Sequence, residues 1–348
     1  MNGELRRLLA EAGYEVSSAE DGWRGVILLR NYGAVPPVRG LPDNTFLRDF
    51  KLLLLDRRGR PTHFAHCGSP TDASLERRTR LLEKLSSEPA LAGIIPRTRG
   101  ACSALLRVQL SAFVPGPPYA RLVRAGDPAS WAHWTSQILE VADSVGRRAG
   151  QLMPELLHGD GRLRIVDAIS PKLDVLRAAG VPAPYLTALL AALDTVPLVT
   201  RHLQHGDLWP ANVIRHDGTW WLIDFAEFGD AQVPLYDMFL YVHQTWRMLG
   251  LQAADEAWTV ASQRIVAASA ERSGLGPREV GGAMIYYLAH LSEQRLHHGS
   301  GLPDRAPFLA GVLRVAEALH SGCPIENLPL PWESPGPRAG AAAALNGA

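Results

Sequence analysis

The spacing of apolar and polar residues in the first third of the chain predicts strands joined by turns, with one helix among them. Residues 50–56 form an apolar run, residues 57–60 a polar turn and residues 61–67 a second extended segment, which together predict a β-hairpin. Over residues 74–85 the leucines recur at helical spacing, with charged residues between them. Residues 104–113 alternate between apolar and polar side chains, as a half-buried strand does.

The pattern changes at residues 114–118, where the sequence VPGPP interrupts any regular element. Beyond this segment helical spacing predominates, over residues 131–152, 185–193, 236–249, 254–272, 280–295 and 308–320. One predicted hairpin interrupts these helices: residues 213–216 and 219–225 are extended, and Asp217-Gly218 suits the turn between them. The last two thirds of the chain are therefore predicted to be mainly helical.

Length and composition add an expectation about domains. The chain has 348 residues, more than one compact core usually holds, so we expect two packed units. Its residues are 47% apolar and 20% charged, which is typical of a globular protein. We predict an α+β protein with a small β-rich N-terminal lobe (1–113), a connecting segment (114–118) and a larger helical lobe (119–330). Residues 331–348, rich in proline, glycine and alanine, are predicted to be disordered.

The charge balance concerns the partners of the protein. Basic and acidic residues number 35 each, which argues against a broad electrostatic surface for nucleic acid or an anionic membrane. The three cysteines lie far apart and indicate neither a disulfide framework nor a cysteine zinc site. No long apolar segment of the kind found in signal peptides or membrane spans is present. We therefore expect a cytoplasmic protein without nucleic-acid or membrane partners, and the pattern leaves its oligomeric state open.

A polar motif frames the predicted hairpin of the helical lobe. The sequence HGDLWPAN occupies residues 205–212 directly before it, and IDF, residues 223–225, ends its second strand. Because a hairpin returns the chain to where it began, Asp207, Asn212 and Asp224 are expected at one edge of a sheet. Phosphoryl transfer uses such a set: a carboxylate that accepts the proton of the attacking hydroxyl, and hard oxygen ligands for Mg²⁺.

The sequence HGDLWPANV followed by LIDF resembles the signature of the aminoglycoside phosphotransferase family, the small-molecule relatives of the protein kinases. The resemblance implies a protein-kinase-like two-lobed fold that uses ATP, or another nucleoside triphosphate, together with Mg²⁺. It also implies that Asp207 is the catalytic base and that Asn212 and Asp224 are magnesium ligands. His205 would brace the loop, and Asp237 would cap loop backbone from the following helix.

The resemblance extends upstream of the motif. Hairpin, helix, strand and Pro/Gly connector follow one another in the order of a kinase-like small lobe, so residues 112–116 would form the hinge between the lobes. Backbone groups of Ala112, Phe113 or Val114 would then hydrogen-bond the adenine base of the nucleotide.

Two positions depart from the family pattern. The third strand of a kinase-like lobe carries a lysine that contacts the phosphates and pairs with a glutamate on the following helix. Here these two positions hold His66 and Arg78. The chain contains only the lysines Lys51, Lys84 and Lys172. Since Lys51 begins the preceding strand and Lys84 lies late on the helix, neither is expected to replace the missing amine.

Three explanations of this departure are open. His66 could contact the phosphates as an imidazolium, although at pH 7 an unperturbed histidine is mostly neutral. Arg78 could supply the cation through its guanidinium, which matches phosphate oxygens well. The phosphate site could also have decayed. A shifted helical register would bring Glu76 to the glutamate position.

The acceptor site is expected near the same edge. Trp209, Glu227, Asp230 and Tyr236 lie close to the motif in sequence and are candidates for the acceptor pocket. The sequence thus predicts a phosphotransferase acting on a hydroxyl group of a small molecule, such as an aminoglycoside-like antibiotic, a sugar or a biosynthetic intermediate. One alternative is a kinase of Ser and Thr side chains in the precursor peptide of a ribosomal natural product, acting with a partner lyase. Another is a catalytically silent pseudokinase that serves as a binding subunit.

Overall fold

The computed structural model describes residues 25–31 and most of 49–297, with gaps at 57, 103–106, 126, 158, 179–181 and 252–254, and a few positions between 314 and 330. The chain divides into two compact units. The first comprises Met1–Pro117 and Ile214–Ala226, and the second comprises Pro118–Val213 and Glu227–Ala348. The predicted tail, 331–348, lies outside the described residues, as does most of the predicted helix over 308–320.

An antiparallel sheet forms the first unit. Its strands are β1 (Gly25–Asn31), β2 (Asp49–Leu55), β3 (Pro61–Gly68), β4 (Thr98–Cys102) and β5 (Arg107–Ala112), in the order β1-β2-β3-β5-β4. Helix α1 (Ala73–Ser87) connects β3 to β4. The predicted hairpin of β2 and β3 and the predicted helix are confirmed, whereas strands β1 and β4 are not predicted from the sequence pattern.

Alternation of side chains decides which face of this sheet is buried. Leu52 and Leu54 of β2 are buried, as are Ala65 and Cys67 of β3. Since Leu52 pairs directly with Ala65, these residues share one face. The residues that alternate with them, among them Lys51 and His66, lie on the opposite face. A two-residue repeat of apolar positions therefore positions polar side chains together on the other side of the sheet.

Helix α1 begins where its sequence provides a capping residue. The side chain of Asp72 accepts a hydrogen bond from the backbone N–H of Leu75 at 2.9 Å. Leu75, Leu82 and Leu85 are buried along one side of the helix. The polar side of the same helix carries Arg78, which faces the sheet rather than solvent alone.

The second unit is mainly helical. Its helices are α2 (Tyr119–Ala125), α3 (Pro128–Leu152), α4 (Ile165–Ala178), α5 (Ala183–Asp194), α6 (Tyr236–Leu249), α7 (Glu256–Arg272) and α8 (Pro277–His297). Two short strands, β6 (Arg162–Leu163) and β7 (Val199–Thr200), pair antiparallel. Among the helices that the structure describes, none combines the length and the apolar character needed to cross a membrane. The predicted α+β class, with a small β-rich part and a larger helical part, is confirmed.

A hairpin follows the polar motif in the chain. Its strands are β8 (Val213–His216) and β9 (Thr219–Leu222), and the turn residues Asp217 and Gly218 both have positive φ, 49° and 78°. Strand β9 ends three residues earlier than predicted. The segment Ile214–Ala226 groups with the first unit, where the N–H of Leu222 donates to the carbonyl of Ile94 at 2.9 Å. The hairpin thus carries Asp224 into the β-rich unit.

Candidate active site

The buried carboxylate of Asp237 holds the backbone of the loop before β8. Asp237, in the first turn of α6, accepts hydrogen bonds from the backbone N–H groups of His205 at 2.6 Å and Gly206 at 2.9 Å. The backbone N–H of Asp237 donates in return to the side-chain carbonyl of Gln204 at 3.0 Å. Residues 204–206 are therefore anchored to the start of α6 at three points.

Burial changes the acidity of the Asp237 carboxylate. It raises the pKa of Asp237 to about 7, although the two backbone N–H donors act in the opposite direction. The charges of Asp143 and Asp207 raise the pKa further. Near neutral pH Asp237 therefore lies close to its own midpoint, and its main observed contacts are with loop backbone.

The central pair of the loop is Asp207 and Asn212. The side-chain amide nitrogen of Asn212 donates to the Asp207 carboxylate oxygen Oδ2 and to the Asp207 backbone carbonyl, each at 2.9 Å. Both donor hydrogens of the Asn212 amide thus have partners, which leaves its oxygen as the atom able to bind a metal ion. Asn212 is buried and Asp207 is only half-buried, so the carboxylate is oriented by its neighbour while it keeps access to the outside.

Asp224 belongs to the first unit. Its backbone has a φ of 60°, a left-handed conformation that is uncommon for residues other than glycine. Its carboxylate oxygen Oδ2 accepts a hydrogen bond from the ammonium nitrogen of Lys51 at 3.0 Å. Because Lys51 lies on the strand before the one expected to carry the lysine, the sequence pattern does not predict a role for its amine. The structure places its amine directly on the candidate metal ligand.

His66 and Arg78, the two candidates for the phosphate-binding cation, contact each other. A guanidinium NH2 group of Arg78 lies 2.6 Å from His66 Nδ1, and Arg78 Nε donates to the side-chain carbonyl of Gln109 at 3.1 Å. Because a guanidinium can only donate, His66 Nδ1 must act as the acceptor and the ring is neutral in this arrangement. The contact with Arg78 therefore uses His66 Nδ1 as a hydrogen-bond acceptor.

Glu76, the alternative helix partner, makes other ion pairs. Its carboxylate accepts from Arg107 at 3.0 Å and also contacts Arg80 one turn later on α1. It therefore holds α1 to β5, and the described contacts do not join it to a lysine.

The expected hinge uses part of its backbone internally. The N–H of Ala112 donates to the carbonyl of Arg97 at 2.8 Å, and the N–H of Phe113 donates to the carbonyl of Thr62 at 2.9 Å. The N–H groups of Ala112 and Phe113 are thus engaged within the first unit, and the backbone of Val114 remains a candidate contact for adenine. Two residues further on, a β-carbon at Gly116 would lie 2.4 Å from the carbonyl oxygen of Arg215, so a glycine is needed at this close approach.

The four candidate acceptor residues differ in exposure, and all belong to the second unit. Trp209 is 37% exposed, Asp230 is exposed, Glu227 is half-buried and Tyr236 is fully buried. Burial raises the pKa of Tyr236, and the charge of Glu227 contributes to the same shift. Tyr236 is therefore not accessible to a ligand, whereas Trp209 and Asp230 are exposed.

The donor atoms of the candidate ligands suit magnesium. Among the described residues, histidine, cysteine, aspartate and glutamate side chains form no group of three or more that could hold a metal ion. The amide oxygen of Asn212 and the carboxylate of Asp224 are hard donors, and Mg²⁺ at nucleotide sites takes few protein ligands and completes its shell with phosphate oxygens and water. Each candidate ligand, Asn212 of the second unit and Asp224 of the first, therefore supplies a type of donor that suits magnesium at a nucleotide site.

Comparisons with known proteins find similar solved structures. No protein-family model and no curated protein matches the chain. A glucosamine kinase in complex with glucosamine, ADP and inorganic phosphate has a TM-score of 0.47 and 16% identity, over 92% of this chain and 83% of that chain. The aminoglycoside phosphotransferase APH(3″)-Id of Streptomyces rimosus, in complex with ADP and streptomycin, has a TM-score of 0.41 and 22% identity, over 70% and 89%.

A third similar structure is an ethanolamine kinase of Plasmodium vivax, with a TM-score of 0.46 and 11% identity, over 86% of this chain and 82% of that chain. All three are small-molecule kinases by their descriptions. At these TM-scores the likenesses are distant, and they assign neither an activity nor a substrate to this chain.

Proposed function

We propose that this protein is an ATP- and Mg²⁺-dependent phosphotransferase that phosphorylates a hydroxyl group of a small molecule. The observation that carries the proposal is the hydrogen bond from the Asn212 amide to the Asp207 carboxylate, in a loop whose backbone is anchored by Asp237. A pair made only for stability would not need an anchored loop that keeps one carboxylate accessible. The arrangement suits a base held in one orientation beside an amide oxygen ready for a metal ion.

Asp207 is the catalytic base in this proposal. Its carboxylate accepts the proton of the attacking hydroxyl, and the amide of Asn212 keeps the carboxylate in a fixed rotamer. Asn212 and Asp224 would hold Mg²⁺, which neutralises charge on the nucleotide phosphates when it is bound. His205 contributes through its backbone N–H, by which Asp237 fixes the loop.

Two carboxylates, Glu227 and Asp230, are among the candidate acceptor residues. Burial raises the pKa of Tyr236, and the charge of Glu227 adds to that shift. Carboxylates near an acceptor pocket favour acceptors that carry ammonium groups beside the reacting hydroxyl. Among the candidate acceptors, this supports an amino-substituted sugar or alcohol more than a neutral one. Trp209 provides an exposed aromatic surface for the acceptor's ring or chain.

The test compares three proteins for ATP consumption with Mg²⁺. The acceptor panel contains aminoglycosides, amino sugars, neutral sugars, simple alcohols and Ser/Thr peptides. We expect wild type to turn over an amine-bearing acceptor and Asp207→Asn to be slower by about 10²–10⁴-fold. Asp217→Asn is the matched control, because the same chemical change falls on an exposed turn residue, and it should keep wild-type turnover.

The other outcomes separate the alternatives. Turnover confined to Ser/Thr peptides would replace the small-molecule kinase with a kinase of precursor peptides. If wild type neither turns over an acceptor nor gains thermal stability with nucleotide, the protein is a silent binding subunit and the proposal fails. Equal rates for wild type and Asp207→Asn would remove Asp207 from the mechanism.

A further inference from the structure

The ion pair between Lys51 and Asp224 joins residues 173 positions apart within the first unit. The lysine side chain is 12% exposed and the aspartate side chain 34% exposed. A partly buried ammonium group has lost much of its hydration and needs an anion to compensate for the loss. Asp224 therefore orients the Lys51 amine, and it is also the residue that the proposed function assigns to magnesium.

The sheet register places this amine beside the position that lacks one. Lys51 on β2 pairs directly with His66 on β3, and His66 pairs directly with Gln109 on β5. Directly paired residues in an antiparallel sheet point to the same face, with Cβ atoms about 4.5–5.5 Å apart. Lys51 and His66 thus occupy adjacent places in one row of side chains. An ammonium group on a four-carbon stem can reach from one place to the other.

Helix α1 contacts the same row of side chains through Arg78 and Thr79. The Arg78 guanidinium binds both His66 and Gln109, so a hydrogen-bonded triad connects helix to sheet across β3 and β5. Next to it on the helix, Thr79 lies against Gly100, the residue paired with Gln109. The triad holds α1 in place without a lysine on β3, because the cation comes from the helix and the acceptors come from the strands.

We infer that Lys51 is the side chain that contacts the nucleotide phosphates, from the strand next to the one on which a kinase-like lobe would carry it. This inference rests on the proposed function and assigns a residue that the function itself leaves open. In a kinase-like lobe with its lysine on the third strand, that one lysine would both tie the helix to the sheet and bind phosphate. In this chain the triad of His66, Arg78 and Gln109 does the first and Lys51 does the second.

The test measures nucleotide binding rather than turnover. Isothermal titration calorimetry compares ADP with Mg²⁺ against adenosine, which lacks phosphates, for wild type, Lys51→Met and Lys84→Met. We expect Lys51→Met to bind ADP at least about tenfold more weakly while its adenosine affinity is unchanged. Lys84→Met, which changes an exposed lysine of α1, should bind both ligands as wild type does. Thermal unfolding establishes that each variant is folded.

A second variant tests the position of the amine. In Lys51→Met/His66→Lys the ammonium group moves to the adjacent place on the same face, and ADP affinity should recover to within a few-fold of wild type. If Lys51→Met binds ADP as tightly as wild type does, the inference is wrong. Nucleotide binding by wild type would still leave the proposed function standing. Equal losses for ADP and adenosine would make Lys51 a structural residue and would also overturn it. If wild type binds no nucleotide, the inference and the proposed function fall together.

Discussion

The ammonium nitrogen of Lys172 on α4 lies 2.5 Å from the Glu293 carboxylate on α8 and 5.6 Å from the ring centre of Tyr286. Both charged side chains are largely buried, with 14% and 20% exposure. The ring of His290 stacks on Tyr286, and burial together with the Lys172 charge lowers the pKa of His290 to about 3. The pair thus joins two helices of the second unit through a neutral aromatic environment that strengthens the ionic contact.

Replacing Lys172 by Met should destabilise the protein, because it leaves the Glu293 carboxylate buried without its cation. We expect a loss of about 2 kcal/mol in the free energy of unfolding, measured by urea denaturation. The double variant Lys172→Met/Glu293→Gln should recover part of this loss, since it removes the uncompensated charge. Lys84→Met makes the same change at an exposed site and should stay within about 0.5 kcal/mol of wild type. A double variant less stable than the single one would show that the pair is not the source of the effect.

Gly206→Ala should be strongly destabilising. Gly206 has a φ of 85°, and a β-carbon there would lie 2.2 Å from the carbonyl oxygen of Glu227. Gly218→Ala is the matched control, because Gly218 has a φ of 78° and nothing within 4 Å of the added carbon. The control should lose about 1 kcal/mol from backbone strain alone, and Gly206→Ala about 3 kcal/mol or more. Similar losses in thermal or urea unfolding would mean that the loop can move away from Glu227 at little cost.

The pKa of Asp237 predicts a stability that falls as the pH rises. Its folded-state pKa is about 7, above the ordinary value of 3.8, so the folded protein retains a proton that the unfolded chain releases. The contribution of protonated Asp237 is fully present below pH about 4 and is lost as the pH rises through about 7.

The measurement for Asp237 is urea unfolding at several pH values between about 4 and about 8, for wild type and Asp237→Asn. The asparagine cannot titrate, so the stability difference between the two proteins isolates the aspartate. We expect that difference to shift against wild type as the pH rises across this range. The variant should also be less stable overall at low pH, because an amide nitrogen would face one of the two backbone N–H donors. Parallel pH curves would contradict the assignment.

Arg78→Lys tests the triad that holds α1 to the sheet. Lysine keeps the charge but lacks the planar fork that reaches His66 and Gln109 together, so we expect a loss of about 1–2 kcal/mol in urea unfolding. Arg80→Lys is the control on the same helix, because Arg80 is 75% exposed and keeps its ion pair with Glu76 as a lysine. It should change the free energy of unfolding by less than about 0.5 kcal/mol. Equal effects of the two changes would mean that the fork at residue 78 adds no stability.

Local features of the chain could be predicted from the sequence because their causes are local. Helix α1 follows from its leucine spacing, and the turn of the second hairpin follows from Asp217-Gly218. Asp207 and Asn212 are five residues apart, so one short loop brings the amide to the carboxylate. The α+β class, the helical character of the second unit and the candidate motif were therefore determined by the sequence alone.

The partner of Lys51 was decided only by the tertiary structure. The sequence around a strand residue does not show which distant side chain it contacts. For Lys51 the partner depends on the sheet register and on a hairpin that brings Asp224, 173 residues later in the chain, to the same place. The same holds for Arg78, whose two acceptors come from different strands, and for Ala112 and Phe113, whose N–H groups donate within the sheet. Hydrogen bonds and charges in a partly buried environment are satisfied by whichever groups the fold brings near, and the local pattern does not contain that information.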